Sequence, residues 1–438
     1  MKKTIFLFHL IVCVPFIGMA QIQTYSLEQA METGIQNRFD IRSREYNMHL
    51  SENQIQKSKK AWIPKIEAEG NIQYNTQLSP TYVPKGFAGF DEAGLLSLGA
   101  KNQSTFGLAL TQPIFKPGIN TDIEISKTQQ QLSQEQLRAY KIEIKNNIST
   151  AYLNVLLKEL QYKIAKNEEN RLEKYARLAE GAYHNGTVIK NNYLRSKLDY
   201  KNAQVKTQTV QQDYELSLDY LKYEMNLSAK TEIILTDSID QTALESPLSQ
   251  QDILNKNRTE IKQLILQQNE NTLRLKKVKQ GALPTISLSG YYGQWYQNQN
   301  FRYGESKWWA PQSYISLNIS IPVTANFINK NKLQENKIRQ KQLVVDMEQK
   351  KTDINFEIQK ATTDIQNSRQ NMQSAKDNYQ LSQTIYQNQQ QQFEIGVFLF
   401  SDLLDTEKSL HEAEQMYIRS VYDYMMSLLE YQKAAGTL

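Results

Sequence analysis

Four short segments of the chain alternate strictly between apolar and polar residues. In the clearest one, Ile315, Leu317, Ile319 and Ile321 are separated by serine and asparagine. Alternation over about ten residues, closed by a proline, is typical of a β-strand with one apolar face. Such a face either packs on a protein core or contacts lipid. The pattern predicts strands near residues 65–75, 104–114, 285–295 and 313–322.

Between the strands, apolar residues recur at helical spacing over long stretches. Residues 330–391 contain neither proline nor glycine. The apolar positions there step by three, four or seven residues, at Val344, Met347, Ile354, Ile358, Ala361, Ile365, Met372, Ala375, Tyr379 and Tyr386. This heptad stripe predicts a helix of about 60 residues, roughly 90 Å long, that packs on other helices. Phe356, Leu381 and Ile385 lie off the stripe and predict a second buried seam, as in a tube of helices.

A glycine interrupts the helical pattern once in each half of the chain. Gly186 lies in Tyr183–Val188, and Gly396 lies in Phe393–Phe398. Glycine adopts the left-handed conformation that often ends a helix. We therefore expect one long helical hairpin in each half, with its tip at the glycine. Residues 229–251 break the pattern and contain a possible short strand at 231–236.

The two halves resemble each other. Residues 37–41 (NRFDI) resemble residues 257–261 (NRTEI), 220 positions later, and Gly186 corresponds to Gly396, 210 positions later. A period this long indicates duplication of a large unit rather than a solenoid. We predict a first structural repeat over residues 21–228, a linker or equatorial element over 229–250, and a second repeat over 251–438.

The amino terminus has the pattern of a signal peptide. Lys2 and Lys3 precede an apolar stretch, and Gly18-Met19-Ala20 forms a small-residue cleavage site. We expect residues 1–20 to be removed on export. Cys13, the single cysteine, lies in this segment, so the exported chain would contain no disulfide.

Composition narrows the possible functions. The net charge of +5 is small and the charges are interspersed, which argues against nucleic-acid binding. After residue 20, no run of 18 apolar residues could form a transmembrane helix. A membrane-spanning form would therefore need a closed β-barrel, and the smallest such barrels have about eight strands.

Four strands thus have to combine with those of other copies. Two copies would give eight strands and three copies twelve. We favour three, because a wider barrel continues more naturally into a tube of many helices. Four aromatic residues near the strand ends, Phe301, Tyr303, Trp308 and Trp309, fit either a membrane-interface girdle or an aromatic patch of an ordinary sheet.

Taken in order, these features resemble the TolC family of outer-membrane efflux and secretion channels. The resemblance covers essentially the whole exported chain. The segments that carry it are Ser26–Ala30 followed by Asn37-Arg38, Ala61–Pro64, Ala282–Pro284, Gly396–Asp405 and Ala435–Leu438.

The resemblance implies a fold and a function. It implies an α+β membrane protein that assembles as a homotrimer, with long helical hairpins forming a periplasmic helical barrel and four strands per chain in a shared twelve-stranded transmembrane barrel. It implies an exit duct of a tripartite efflux or type I secretion system in outer-membrane lipid. The expected partners are a periplasmic adaptor protein and an inner-membrane transporter.

The resemblance also suggests functional residues at the hairpin tips. Asp402 and Asp405 match aspartates that line the family's constricted entrance, and their spacing of three places both on one helix face. The alternative is that they only stabilise a helix N-terminus. The candidate adaptor contacts are Asn185, Gly186, Thr187, Ile395, Gly396 and Val397. Simple helix capping also explains the glycines.

The first tip departs from the family pattern. Asn192 occupies the position that matches Asp402, and Arg195 the position that matches Asp405. The sequence therefore does not predict, for this chain, the polar contact that joins neighbouring hairpins in the family.

Enzymatic functions find no support in the sequence. The four histidines, His9, His49, His184 and His411, are scattered, and no metal-binding or phosphate-binding motif is present. We predict no catalytic, cofactor-binding or metal-binding residues. The alternative function is a non-enzymatic periplasmic coiled-coil adaptor or tether, which would need no lipid-facing strands.

Overall fold

The structure, a computed structural model, describes residues 23–89, 91–97, 99–238, 258–395, 397 and 399–438. The predicted signal peptide, Gly396 and residues 239–250 of the predicted linker lie outside these residues.

Long helices dominate the described chain, and a four-stranded sheet accompanies them, so the predicted fold class is confirmed. The helices are α1 (Leu27–Asn37), α2 (Phe39–Lys59), α3 (Gly118–His184), α4 (Lys190–Glu224), α5 (Thr259–Gln280), α6 (Ala325–Ile328), α7 (Lys330–Glu394) and α8 (Phe400–Ala435). The strands are β1 (Gln23–Tyr25), β2 (Lys65–Tyr74), β3 (Pro80–Val83), β4 (Gly94–Ser97), β5 (Asn102–Phe115), β6 (Ile233–Leu235), β7 (Thr285–Asn298) and β8 (Trp309–Ser320).

The main sheet is antiparallel, in the order β2-β5-β7-β8. Its register aligns Ile66, Leu110, Gly290 and Ile315 across the four strands. Because side chains alternate between faces, the paired leucine and isoleucine residues of all four strands share one face. That face is exposed in the single chain, with Ile315 83% exposed. The outer edges of β2 and β8 pair with no other strand of the described chain.

Two small sheets accompany the main one. The parallel pair β1–β6 includes residues 233–235 of the predicted short strand. The hairpin β3–β4 lies in the loop between β2 and β5, and the sequence pattern did not reveal it. Strands of three or four residues are too short for alternation to be distinguishable from chance.

The contacts divide the chain into two compact units. One contains Met1–Glu45, Gln136–Ile261 and Gln349–Leu438; the other contains Tyr46–Glu135 and Lys262–Glu348. Each unit takes segments from both predicted repeats. The repeat boundaries stay a prediction.

Packing of α7 follows its predicted stripe with one shift, and α3 buries a stripe at similar spacing. On α3, Ile144, Ile148, Tyr152 and Val155 are at most 2% exposed. On α7, Leu343 is buried whereas the predicted Val344 is 49% exposed. Where two adjacent residues are both apolar, the spacing does not determine which of them faces the neighbouring helix. The predicted second seam of Phe356, Leu381 and Ile385 is exposed in the single chain.

In the described helices, no segment combines the length and the apolar character needed to cross a bilayer.

Candidate functional site: the hairpin tips and the polar cluster beside them

The first tip is a glycine-capped helix end. Gly186 has φ of +78°, and its N–H donates to the carbonyl of Tyr183 at 3.0 Å. The N–H of Thr187 donates to the carbonyl of Ala182 at 2.9 Å. These two bonds form the Schellman pattern, in which the left-handed residue lets the backbone satisfy the last helical carbonyls. Helix capping therefore accounts for Gly186 structurally.

The second tip shows the corresponding backbone bond. The N–H of Val397 donates to the carbonyl of Gln392 at 2.9 Å, 210 positions after the bond from Thr187. Gly396 itself lies outside the described residues. Ile395 and Val397 are 75% and 73% exposed, so capping does not explain their apolar side chains. Asn185 and Thr187 are also exposed.

Asp402 and Asp405 both lie in the first turns of α8 with exposed side chains. A carboxylate there interacts favourably with the positive end of the helix. Asp402 accepts a hydrogen bond from the hydroxyl of Ser401 at 3.0 Å. Asp405 lies 3.6 Å from the guanidinium of Arg195 on α4. The residue by which the first tip departs from the family pattern thus pairs with Asp405 inside one chain.

A buried polar cluster lies further along the same helices. Nε of Arg171 on α3 donates to Oε1 of Glu407 on α8 at 2.6 Å. The Glu407 side chain is only 4% exposed, and Glu414, a half-buried glutamate on α8, lies 4.0 Å from the same guanidinium. Burial raises the pKa of Glu407 and of Glu414, although the nearby guanidinium opposes the shift. Tyr175 and Tyr386 share a hydrogen bond beside this cluster.

The cluster continues toward α4. His411 on α8 lies between Glu168 of α3 and Lys206 of α4, at 3.2 Å and 2.7 Å. Burial lowers the pKa of His411. A cavity of about 390 Å³ adjoins these side chains and reaches Arg195 and Asp405. It connects the buried cluster with the residues at the tip.

The sequence carries a signal of the buried cluster on α8, although it does not identify the partners. Leu403, Glu407, Leu410, Glu414 and Tyr417 follow the alternating four-and-three spacing of a helix seam. Glutamates at two seam positions indicate buried charges that need partners. The missing information was the identity of those partners, since Arg171 lies 236 positions before Glu407.

Each of the two predicted repeats contains an equivalent arginine contact at the end of its hairpin opposite the tip. The guanidinium of Arg38 binds Asp40 and the carbonyl of Glu224, at the end of α4. The guanidinium of Arg258 binds Glu260 and the carbonyl of Ala434, at the end of α8. In both cases an arginine satisfies carbonyls that the helix end leaves without a backbone partner.

The site offers no evident place for a metal ion. Among the described residues, no three histidine, cysteine, aspartate or glutamate side chains are grouped so that they could bind one.

Comparison with known proteins agrees with this fold. The sequence matches the outer membrane efflux protein family over residues 31–224 and 251–437. No curated protein matches the sequence.

Solved structures of outer-membrane channels share the fold. The CmeC channel of Campylobacter jejuni is 16% identical with a TM-score of 0.70, covering 94% of this chain and 85% of its own. The VceC outer membrane protein of Vibrio cholerae is 13% identical with a TM-score of 0.71, covering 94% and 96%. The MtrE channel of Neisseria gonorrhoeae, in its open state, is 15% identical with a TM-score of 0.74, covering 94% and 88%.

Long helical hairpins, together with a sheet that has one exposed apolar face, are consistent with an outer-membrane efflux protein. The chain belongs to the outer membrane efflux protein family. The predicted TolC family is confirmed, as are the predicted function in efflux and the outer-membrane location with a periplasmic helical extension.

Proposed function

We propose that three copies of this chain form one channel, with twelve strands closing a barrel in the outer membrane and the helices forming a tunnel below it. The observation that carries this proposal is the main sheet. It has two unpaired edges, and its apolar residues are aligned on one exposed face. Pairing β8 of one copy with β2 of the next satisfies both edges and directs the apolar face to lipid.

The helices support the same assembly. An exposed apolar stripe runs along α4 at heptad-related positions, and its side chains are between 47% and 69% exposed. Its members are Leu194, Leu198, Val205, Leu216, Tyr220 and Tyr223. Phe356, Leu381 and Ile385 on α7 are exposed in the same way. Apolar surface of this extent favours burial, and neighbouring copies would provide it.

The aromatic residues near the strand ends fit a membrane interface. Tyr296 and Trp309 lie on the apolar face of the sheet, and Tyr303 stacks on Tyr296 at 4.2 Å. Phe301 projects from this group with 76% of its side chain exposed. Aromatic residues at headgroup depth are characteristic of barrels in the outer membrane.

The channel would act as a passive conduit. The polar face of the sheet, which includes the hydrogen-bonded pair Asn318 and Ser289, would line a water-filled lumen. Drugs, metals or proteins would pass outward, with the energy supplied by an inner-membrane transporter linked through a periplasmic adaptor. The chain itself would catalyse no covalent reaction.

Control would lie where the helices converge. Asp402 and Asp405 would form two rings of three carboxylates at the entrance and favour cations. Arg195 partly compensates the Asp405 ring, so Asp402 would supply most of the uncompensated negative charge. Asn185, Gly186, Thr187, Ile395, Gly396 and Val397 would contact the adaptor.

Extraction and native mass measurements test the assembly. A channel stays in the outer membrane after alkaline or high-salt washing, and it purifies in detergent as a trimer that conducts ions in a planar bilayer. A periplasmic adaptor or tether without an anchor would be released by the wash. A stable, water-soluble monomer would contradict the proposal.

A further inference from the structure

His411 links three helices beside the entrance. Its side chain is 13% exposed. The ammonium of Lys206 on α4 lies 2.7 Å from Nε2, and Oε2 of Glu168 on α3 lies 3.2 Å from Nδ1. Lys206 is also 3.6 Å from Glu168, and its side chain is 46% exposed. Lys206 can therefore move into solvent, whereas His411 and Glu168 are largely enclosed.

These contacts fix the proton of the neutral imidazole. An ammonium group has only hydrogens to donate, so Nε2 accepts from Lys206 and carries no hydrogen of its own. The hydrogen of the neutral ring is therefore on Nδ1, which faces the carboxylate of Glu168. Neutral His411 thus accepts a hydrogen bond from Lys206 of α4 at Nε2, whereas its Nδ1 lies 3.2 Å from Oε2 of Glu168 on α3 in a charge contact without a hydrogen bond.

A second proton can only bind Nε2, where the ammonium of Lys206 already lies. Protonation would place two cations in contact in a poorly hydrated site, so the mobile Lys206 would leave. The imidazolium would keep Glu168 as its partner, and the two opposite charges would attract more strongly. Protonation therefore keeps the contact between α8 and α3 and removes the one between α8 and α4.

Other charged groups lie near the ring. Arg171 on α3 and Glu412 on α8 contribute to its titration, and Arg195 and Asp199 on α4 and Glu407 and Lys408 on α8 line the adjoining cavity. Burial lowers the pKa of His411, so its protonation requires a pH below the usual range of histidine. Burial raises the pKa of Glu407 and Glu414, and these carboxylates also take up protons on acidification.

Loss of the Lys206 contact would matter at the entrance. Arg195 and Asp405 also join α4 to α8, but their side chains are 61% and 69% exposed. Exposed ion pairs contribute little, because water screens them and the side chains lose conformational freedom. The separation of α4 and α8 near the tips would then depend on the protonation of His411.

We propose that His411, Lys206 and Glu168 form a proton-sensitive brace, which holds α4 against α8 when His411 is neutral and releases α4 when the environment becomes acidic. The release widens the entrance. This role in gating rests on the proposed function of the tips as the entrance, whereas the brace itself is a property of the helices.

Distance measurements test the brace directly. Spin labels at Lys201→Cys on α4 and Ser409→Cys on α8, both exposed positions, report the separation of the two helices. Between about pH 7.5 and about pH 5 we expect the distance distribution of the otherwise unchanged protein to shift to longer values. In the His411→Gln background we expect no shift. His49→Gln, at an exposed histidine of α2, is the matched control and should respond like the unchanged protein.

Two further variants keep the test decisive if His411→Gln alters the fold. Lys206→Met removes the competing cation, so acidification should leave the distance unchanged although His411 is present. His411→Arg supplies a permanent charge and should give the longer distance already at about pH 7.5. A full shift in the distance for His411→Gln would assign the response to Glu407 and Glu414 and overturn the proposal. The absence of any shift in the unchanged protein would also overturn it.

Conductance measurements distinguish a failure of the brace from a failure of the proposed channel. We expect the trimer in a planar bilayer to conduct more at about pH 5 than at about pH 7.5, and the His411→Gln trimer to lose this difference. Absence of any current would contradict the proposed channel, while the distances would still decide whether the brace exists. A distance shift without a conductance change would overturn the gating role.

Discussion

At the scale of single residues, the buried ion pair between Arg171 and Glu407 is the most demanding feature of the tip region. Glu407 is almost fully enclosed, and a carboxylate in such a place needs a cation or a proton. Arg171 supplies the cation from another helix. The pair therefore fixes the relative position of α3 and α8 more strictly than apolar contacts alone, which tolerate sliding.

We predict that Arg171→Met destabilises the protein by about 2–3 kcal/mol, because it leaves a buried carboxylate without its partner. Thermal unfolding followed by circular dichroism in detergent measures the effect. The deficit should shrink on acidification, since Glu407, whose pKa burial already raises, can then become neutral. Arg177→Met, at an exposed arginine on the same helix, is the control. Equal effects of the two variants would contradict the prediction.

The two aspartates that we propose for the entrance give a second prediction at this scale. Asp402→Ala combined with Asp405→Ala should abolish the cation preference of the channel, because the double variant removes two carboxylates per chain and leaves Arg195 uncompensated. Reversal potentials in a salt gradient measure the preference. Asp423→Ala, about five turns further along α8, should keep it. An unchanged conductance and selectivity in the double variant would mean that the aspartates serve only the helix end.

At the scale of elements, the sheet depends on a place where two strands approach with no side chain between them. Gly107 of β5 lies opposite Gly293 of β7, and the ring of Tyr291 covers both. A Cβ atom on Gly293 would lie 2.4 Å from the carbonyl oxygen of Phe106 and 2.7 Å from Cα of Gly107. Both are backbone atoms, so the strands would have to separate.

Gly293→Ala should therefore weaken the β5–β7 pairing and lower stability by about 1–3 kcal/mol, as overpacking usually does. Gly290→Ala on the same strand is the matched control, because its Cβ would find its nearest neighbours at 3.8 and 3.9 Å. The temperature at which the purified assembly dissociates on a gel measures the difference. The prediction is wrong if both variants dissociate together.

At the scale of the whole molecule, much apolar surface of the single chain is exposed among the residues that the structure describes. The apolar side of the sheet and the stripe along α4 are both exposed. The two surfaces require different partners, since one would contact lipid and the other a helix of a neighbouring copy. Assembly would thus cover apolar surface that folding of one chain leaves exposed.

Leu198→Asp and Leu216→Asp, at two positions of the α4 stripe, should each prevent trimer formation while leaving the helical content intact. A charge in a helix interface loses its water without gaining a partner. Native gels and circular dichroism on the same samples separate assembly from folding. Gln208→Glu, at an exposed polar position of α4, should assemble normally. Trimers of both aspartate variants would show that this stripe is not the interface.

The sequence alone determined the local elements of this protein. Alternation with a period of two and stripes with a period of about 3.5 are local patterns, and each reports which face of an element is apolar. The order of the elements, and the segments that resemble the TolC family, then predicted the family and its location, which the family match confirmed. The pattern did not predict the very short strands or the choice between Leu343 and Val344, because too few residues carry the periodic signal there.

Only the tertiary structure decided which distant residues meet. Arg195 and Asp405 are 210 positions apart and Arg171 and Glu407 are 236 positions apart, yet each pair lies within 4 Å. No local pattern encodes such partners, because they depend on the rotation and axial register of helices packed side by side. The alignment of the apolar residues into one face likewise required the register of four strands drawn from both halves of the chain.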